Sequence, residues 1–233
     1  MSNRKKLVLT VLITIVLIPA VIIAGLTLLG AEAYAFVISA VAVMTCVPFF
    51  IVFEHSRNDA RRLMLVAVMT ALSVLGRLLF AAVQFVKPVA ALSIFAGMYL
   101  GPSSGFATGA FAALISNFYF GQGAWTPFQM LAWGLIGFFA GLLSKRLQKS
   151  VILLAIYGAL AGVFFSLVLD VWSSMWYGGS FDLNYFLVSV SASLPFTIIY
   201  AASNVVFLVL LKRPVGSALE RLGVKYGIQD VFH

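Results

Sequence analysis

Ser116-Asn117-Phe118-Tyr119-Phe120-Gly121-Gln122-Gly123-Ala124-Trp125-Thr126-Pro127-Phe128-Gln129-Met130 is a short break between two long apolar runs. It concentrates rings, amides and glycines in one place. The runs on either side decide what it means. The chain has 233 residues, of which 63% are hydrophobic and only 9% charged. Its mean hydropathy is +1.09. Soluble domains carry about 25% charged residues. A soluble chain this short has no interior large enough for so much apolar surface, so lipid is the expected solvent.

A helix needs about 20 apolar residues to cross the hydrocarbon core. Backbone in lipid must satisfy its own hydrogen bonds, so helices are the expected elements. Candidate spans are 7–29, 33–53, 62–82, 88–100, 104–120, 127–144, 151–175 and 184–211. The run from Leu7 to Leu29 is longer than a signal-peptide core of roughly 7–15 residues and is read as a retained span. The stretch 88–100 is short. Gly101-Pro102-Ser103-Ser104-Gly105 turns the chain after it. Residues 88–120 therefore read either as two full spans or as a re-entrant pair. The expected fold is an all-α polytopic membrane protein. Residues 1–55 form an N-terminal transmembrane hairpin, 56–61 a cytoplasmic linker, 62–212 a six-helix core and 213–233 a cytoplasmic tail.

Charge sets the orientation. With the N-terminus inside, the inner side holds Arg4, Lys5, Lys6, Arg57, Arg61, Arg62, Lys145, Arg146, Lys149, Lys212, Arg213, Arg221 and Lys225. The outer side holds only Arg77 and Lys87. This is the positive-inside pattern, so both termini are expected in the cytoplasm of a multi-pass cell-membrane protein. The net charge of +8 thus points to a membrane rather than to nucleic acid.

The outer connections 77–88, 116–130 and 170–186 carry the aromatics and polar groups. Candidate ligand contacts come from them. The first offers Arg77, Gln84, Phe85 and Lys87. The second offers Asn117, Tyr119, Gln122, Trp125 and Gln129, with Trp133 one turn beyond. The third offers Asp170, Trp172, Trp176, Tyr177 and Asn184. An ionisable group within an apolar run is a functional candidate, so Arg77 is expected to hold a ligand oxyanion or to pair with Asp170. The alternative is snorkelling to headgroups. Thr126-Pro127-Phe128-Gln129 fits a capping box, with Thr126 as N-cap and Gln129 at the third helical position. Thr126 and Gln129 then serve the helix, or touch the ligand directly. Asp182 is an acid matching the outer cations or the cap of the last helix. Ala67-Val68-Met69-Thr70-Ala71 places small residues four apart, a face on which another helix can come close.

Several chemistries lack their residues. There is no Walker loop. The histidines are His55 and His233 only, which leaves an intramembrane serine without a base and gives no histidine metal site. The single cysteine, Cys46, excludes an internal disulfide. No catalytic residue, metal or cofactor is expected.

Arg77, Lys87-Pro88, Gly101-Pro102, the stretch 116–127 and Ala67-x-x-x-Ala71 together resemble the substrate-binding S component of an energy-coupling factor (ECF) vitamin transporter. The likeness is closest to the cobalamin-type group and covers about residues 60–212. It implies a small-molecule vitamin, cobalamin first, captured outside and released inward. It also implies three partners, a membrane coupling subunit and two ATPases that use the ATP. Ala67 and Ala71 would be the docking face, and the loops 82–87, 119–126 and 176–183 would close over the ligand. Riboflavin, pyridoxine or a queuosine precursor is the alternative within transport. A membrane enzyme acting on a lipid or isoprenoid is the alternative of another class.

Overall fold

The computed structural model describes residues 59–123, 125–178 and 182–226, with the single position 20. The N-terminal hairpin expected over 1–55 lies outside the described residues. The remainder is helical, with no strand among the described residues. The helices are α1 (Asp59–Leu79), α2 (Val89–Leu100), α3 (Pro102–Phe120), α4 (Thr126–Leu142), α5 (Ser144–Lys149), α6 (Val151–Gly178) and α7 (Leu183–Leu211). A π-helical turn, Lys212–Gly216, leads into α8 (Ser217–Tyr226). Residues 213–226, read from the sequence as tail, are thus helical. Leu219 of α8 is buried against the core.

By length and composition, α1, α6 and the continuous helical stretch from α7 onward are long and apolar enough to cross a membrane. The chain is an all-α polytopic membrane protein. α2 is different. At 1.5 Å per residue its 12 residues reach about 18 Å, well short of about 30 Å of hydrocarbon. Nearly all of it is buried. Protein rather than lipid shelters its backbone, the condition under which a short membrane helix is tolerated.

α2, α3 and α4 are held together by backbone contact. A methyl group added at Gly97 or Gly105 would collide with the carbonyl of Gly137, and one at Gly109 with the backbone of Trp133. Small residues allow this approach where lipid supplies no hydrophobic drive between helices. Ala107 and Ala110 lie on the same packed side of α3, buried like Gly109. α1 packs on α2 and α3, completing a four-helix block. Gly137→Val is expected to lower stability by about 1–3 kcal/mol, since neither backbone can move aside. Thermal unfolding in detergent measures this, and an unchanged melting temperature would contradict the contact.

α6 and α7 form a second packed pair, with Gly162 against Ala201. This pair meets the block largely through side chains. Trp133 Nε1 donates to Tyr200 Oη at 2.7 Å, and Tyr157 Oη donates to the Ile136 carbonyl at 2.6 Å. Trp133 also stacks on Phe165, centroids 4.8 Å apart. The seam between block and pair opens at one end into a cavity. The other end is basic, with Lys145, Arg146 and Lys149 on α5. There Arg62 Nε donates to Ser104 Oγ at 2.8 Å and ties the start of α1 to α3.

Candidate functional site

The cavity has a volume of about 190 Å³. Its walls are Phe85, Trp133, Phe165, Phe196 and Tyr200, and its polar groups are Arg77, Lys87, Gln129, Ser166, Asp170 and Ser193, with Leu169 between them. The rings come in layers. Phe85 lies on Phe196 at 4.4 Å, nearly parallel, and Phe165 lies between Trp133 and Tyr200. Phe85 holds this place with φ at +62°, a conformation that costs a bulky residue about 1 kcal/mol or more.

Arg77 is in the last turn of α1, where the negative end of the helix dipole favours a cation. It is only 4% exposed, so it does not snorkel. Its Nη1 donates to Ser116 Oγ at 2.5 Å and to Asn117 Oδ1 at 2.8 Å. The guanidinium carbon lies 4.5 Å from the Phe120 ring centre and 5.1 Å from that of Trp133. The side chain is therefore fixed on one edge and on its face. Its Nε is buried without a hydrogen-bond partner.

Asp170 lines the same cavity, yet the expected Arg77–Asp170 pair does not form. Asp170 Oδ2 accepts from Ser193 Oγ at 2.8 Å, while Arg77 bonds to α3. Lys87 also lies over Phe120, its Nζ 5.4 Å from the ring centre. Burial, with the nearby Arg77 charge adding to it, pulls the Lys87 ammonium down to about 8. The cavity so holds two cations and one carboxylate around an aromatic slot.

The opening stretch of the sequence behaves differently from its local reading. The capping box does not form. α4 begins at Thr126 itself, with Trp125 in the N-cap position and no side-chain cap. Asn117 arrives from α3 and takes both expected cap groups, donating through Nδ2 to Thr126 Oγ1 and Gln129 Oε1, each at 2.9 Å. A buried side-chain amide from another helix has displaced a local cap. Asn117 has thereby spent both ends of its amide and sits outside the cavity lining, as the brace of Arg77. Gln122 braces the turn, donating to the Leu114 carbonyl at 2.9 Å and accepting from Thr126 Oγ1 at 3.0 Å.

The other expected contacts divide as follows. Trp125, Trp172 and Trp176 form a ladder at the same end, edge to face at 5.8 Å and then stacked at 6.1 Å, without lining the cavity. Gln84, Tyr119 and Asn184 are exposed and do not line it. The Tyr177 side chain lies outside the described residues. Asp182 caps α7, its Oδ1 accepting from the N–H groups of Asn184 and Tyr185 at 2.8 and 3.0 Å. Sequence reading missed Phe165, Ser166, Leu169, Ser193, Phe196 and Tyr200. A helical wheel drawn from Asp170 finds Ser166 one turn back on its face, with Leu169 and Phe165 forming the adjacent row.

Ala67 and Ala71 are exposed on α1, away from the cavity. They line a separate apolar groove of about 520 Å³ with Leu63, Val66, Thr70, Val74, Leu75, Phe111 and Ile115.

No curated protein and no solved structure matches the chain. Residues 57–219 match the family model described as ECF-type riboflavin transporter, S component. The match takes in every helix of the block and the pair, together with both lobes of the cavity wall. The chain belongs to this family of S components, the vitamin-capturing membrane subunits of ECF transporters.

Proposed function

We propose that the chain captures riboflavin, or a flat ring of the same edge chemistry, in the cavity between α1, α4, α6 and α7. The observation that carries this reading is the layered aromatic slot whose lining also includes Arg77, Lys87 and Asp170. An isoalloxazine ring is flat and apolar over its faces. One edge presents carbonyl, N–H and carbonyl in sequence. Cations suit the carbonyls and a carboxylate suits the N–H. The riboflavin-type family match favours this flat ring over the corrinoid that the sequence resemblance put first.

The cavity end faces outward in this reading, since the opposite end carries the lysines and arginines. Ligand enters there and leaves inward when a coupling subunit, driven by two ATPases, docks on Ala67 and Ala71. Titration of the purified chain with riboflavin, cobalamin, pyridoxine and a queuosine precursor tests the assignment. Submicromolar quenching of riboflavin fluorescence is expected. Tight cobalamin binding instead would overturn the ligand, and no binding to any of them would overturn capture.

Lys87 adds a pH dependence. Its hydrogen bond to a ligand carbonyl is charge-assisted only while the amine is protonated, so affinity is expected to fall as pH rises through about 8. Lys87→Gln should flatten that profile. Folding has the opposite sign. Between about 8 and the ordinary lysine value of 10.5 the unfolded chain binds more protons, so stability rises there. Loss of binding above pH 8 with an unchanged or higher melting temperature separates the two effects.

A further inference from the structure

Tyr200 of α7 lines the cavity and is only 4% exposed. The direction of its one hydrogen bond is fixed by chemistry. An indole N–H is a donor and offers no lone pair in return. In the 2.7 Å contact with Trp133 Nε1 the Tyr200 oxygen is therefore the acceptor, and its own proton is not used there. Among the described residues this hydroxyl donates to nothing.

The surroundings show why the proton finds no partner in the wall. The hydroxyl stands at the N–H edge of the Trp133 indole, while the Arg77 guanidinium lies over its face, 5.1 Å from the ring centre. Phe165 packs on both rings, centroids 4.8 Å from Trp133 and 5.0 Å from Tyr200. These side chains all line the cavity. Arg77 and a charged Lys87 carry donors alone. Asp170 Oδ2 accepts from Ser193, and Gln129 Oε1 accepts from Asn117. A buried donor left unused is unfavourable, whereas replacing both members of a polar pair by apolar groups of the same shape is nearly neutral. Phenylalanine at both 133 and 200 would keep the stacking on Phe165 and leave no polar group to satisfy. Packing alone does not explain the Trp133–Tyr200 pair.

We infer that Tyr200 is a specificity-determining residue of the cavity. Trp133 occupies its oxygen as an acceptor, so that its O–H donates to an acceptor on the ligand, a carbonyl oxygen or an unprotonated ring nitrogen. A ring that brings an N–H to this point is rejected, because two donors then face each other. That the acceptor belongs to riboflavin rests on the ligand proposed above. The direction of the hydrogen bond does not.

A double-mutant cycle on the full purified chain tests this, with riboflavin fluorescence quenching and thermal unfolding as its two readouts. Tyr200→Phe is expected to weaken riboflavin binding roughly three- to tenfold, the worth of one hydrogen bond between neutral groups. Adding Tyr200→Phe to Trp133→Phe is expected to weaken it by a similar factor. The melting temperature behaves differently. Tyr200→Phe alone lowers it, since the indole N–H loses its acceptor, but the same change on Trp133→Phe does not. A tyrosine that serves only to satisfy the indole has no task left in Trp133→Phe. Unchanged riboflavin affinity when Tyr200→Phe is added to that variant would overturn the inference. A wild-type chain that binds cobalamin, pyridoxine or a queuosine precursor instead of riboflavin would fault the ligand assignment alone, and the same cycle with that compound then decides the role of Tyr200. Binding to none of them would overturn ligand capture and this inference together.

Discussion

Arg77→Met weakens riboflavin binding roughly ten- to hundredfold while the chain stays folded. Hydrogen bonds to a charged group are worth about 1.5–3 kcal/mol, and about 1.4 kcal/mol is a factor of ten. Arg77 lines the cavity and is held on α3 through Nη1 alone, so the rest of its guanidinium is what would meet a ligand acceptor. Methionine keeps much of the stem that packs against Phe120 and Trp133. Two effects on folding oppose each other. Relief of a buried cation stabilises. The Asn117 Oδ1 left without its donor costs about 1–3 kcal/mol. Ser116 keeps its bond to the Ala112 carbonyl and adds little. The melting temperature should therefore move less than the affinity. Arg77→Lys should not restore binding, because one ammonium cannot reach both α3 and a ligand in the geometry of a planar fork. Wild-type affinity in Arg77→Met would show that the ligand does not use this end of the cavity.

Ala67→Leu with Ala71→Leu abolishes vitamin uptake in cells and leaves riboflavin affinity unchanged. The groove and the cavity share no lining residue. Each leucine added to a close helix contact costs about 1–3 kcal/mol, so the pair weakens coupling by at least roughly thirtyfold. Both alanines are exposed, so folding of the isolated chain should tolerate the change. Uptake that survives would remove the docking assignment and leave ligand capture untouched. Measuring uptake and binding on the same variant keeps the two roles separate.

Some of this site is plain in the sequence. Arg77 and Asp170 are visible because a charge within an apolar run has a large cost and so needs a reason. Asp182 is visible because a cap is local: its partners, Asn184 and Tyr185, are two and three residues away. Asn117 shows the limit. Its residue type announced a polar role, but its partners Arg77, Thr126 and Gln129 come from α1 and α4. No local pattern contains that meeting, and it overruled the capping box that local pattern did contain. Phe165, Phe196 and Tyr200 were illegible for a different reason. In a chain with 21 phenylalanines and 8 tyrosines, a ring on a spanning helix has no distinguishing mark until its neighbours are known. The short α2 was read at nearly its observed length, because Pro88 and Gly101-Pro102 fence it. Its role as a buried strut was not, since the glycines that grip its neighbours act through space rather than along the chain.

That glycine-knit block divides the molecule's tasks. Backbone touching backbone fixes where α2, α3 and α4 stand. The far wall of the cavity is built from Phe165, Phe196 and Tyr200, side chains of the other pair, and none of them takes part in that grip. Exchanging a ring on that wall changes the shape of the slot and leaves the framework as it was. One scaffold can therefore be re-cut for a different cargo with few substitutions, and the positions at which a designer or natural variation would cut are 165 and 196.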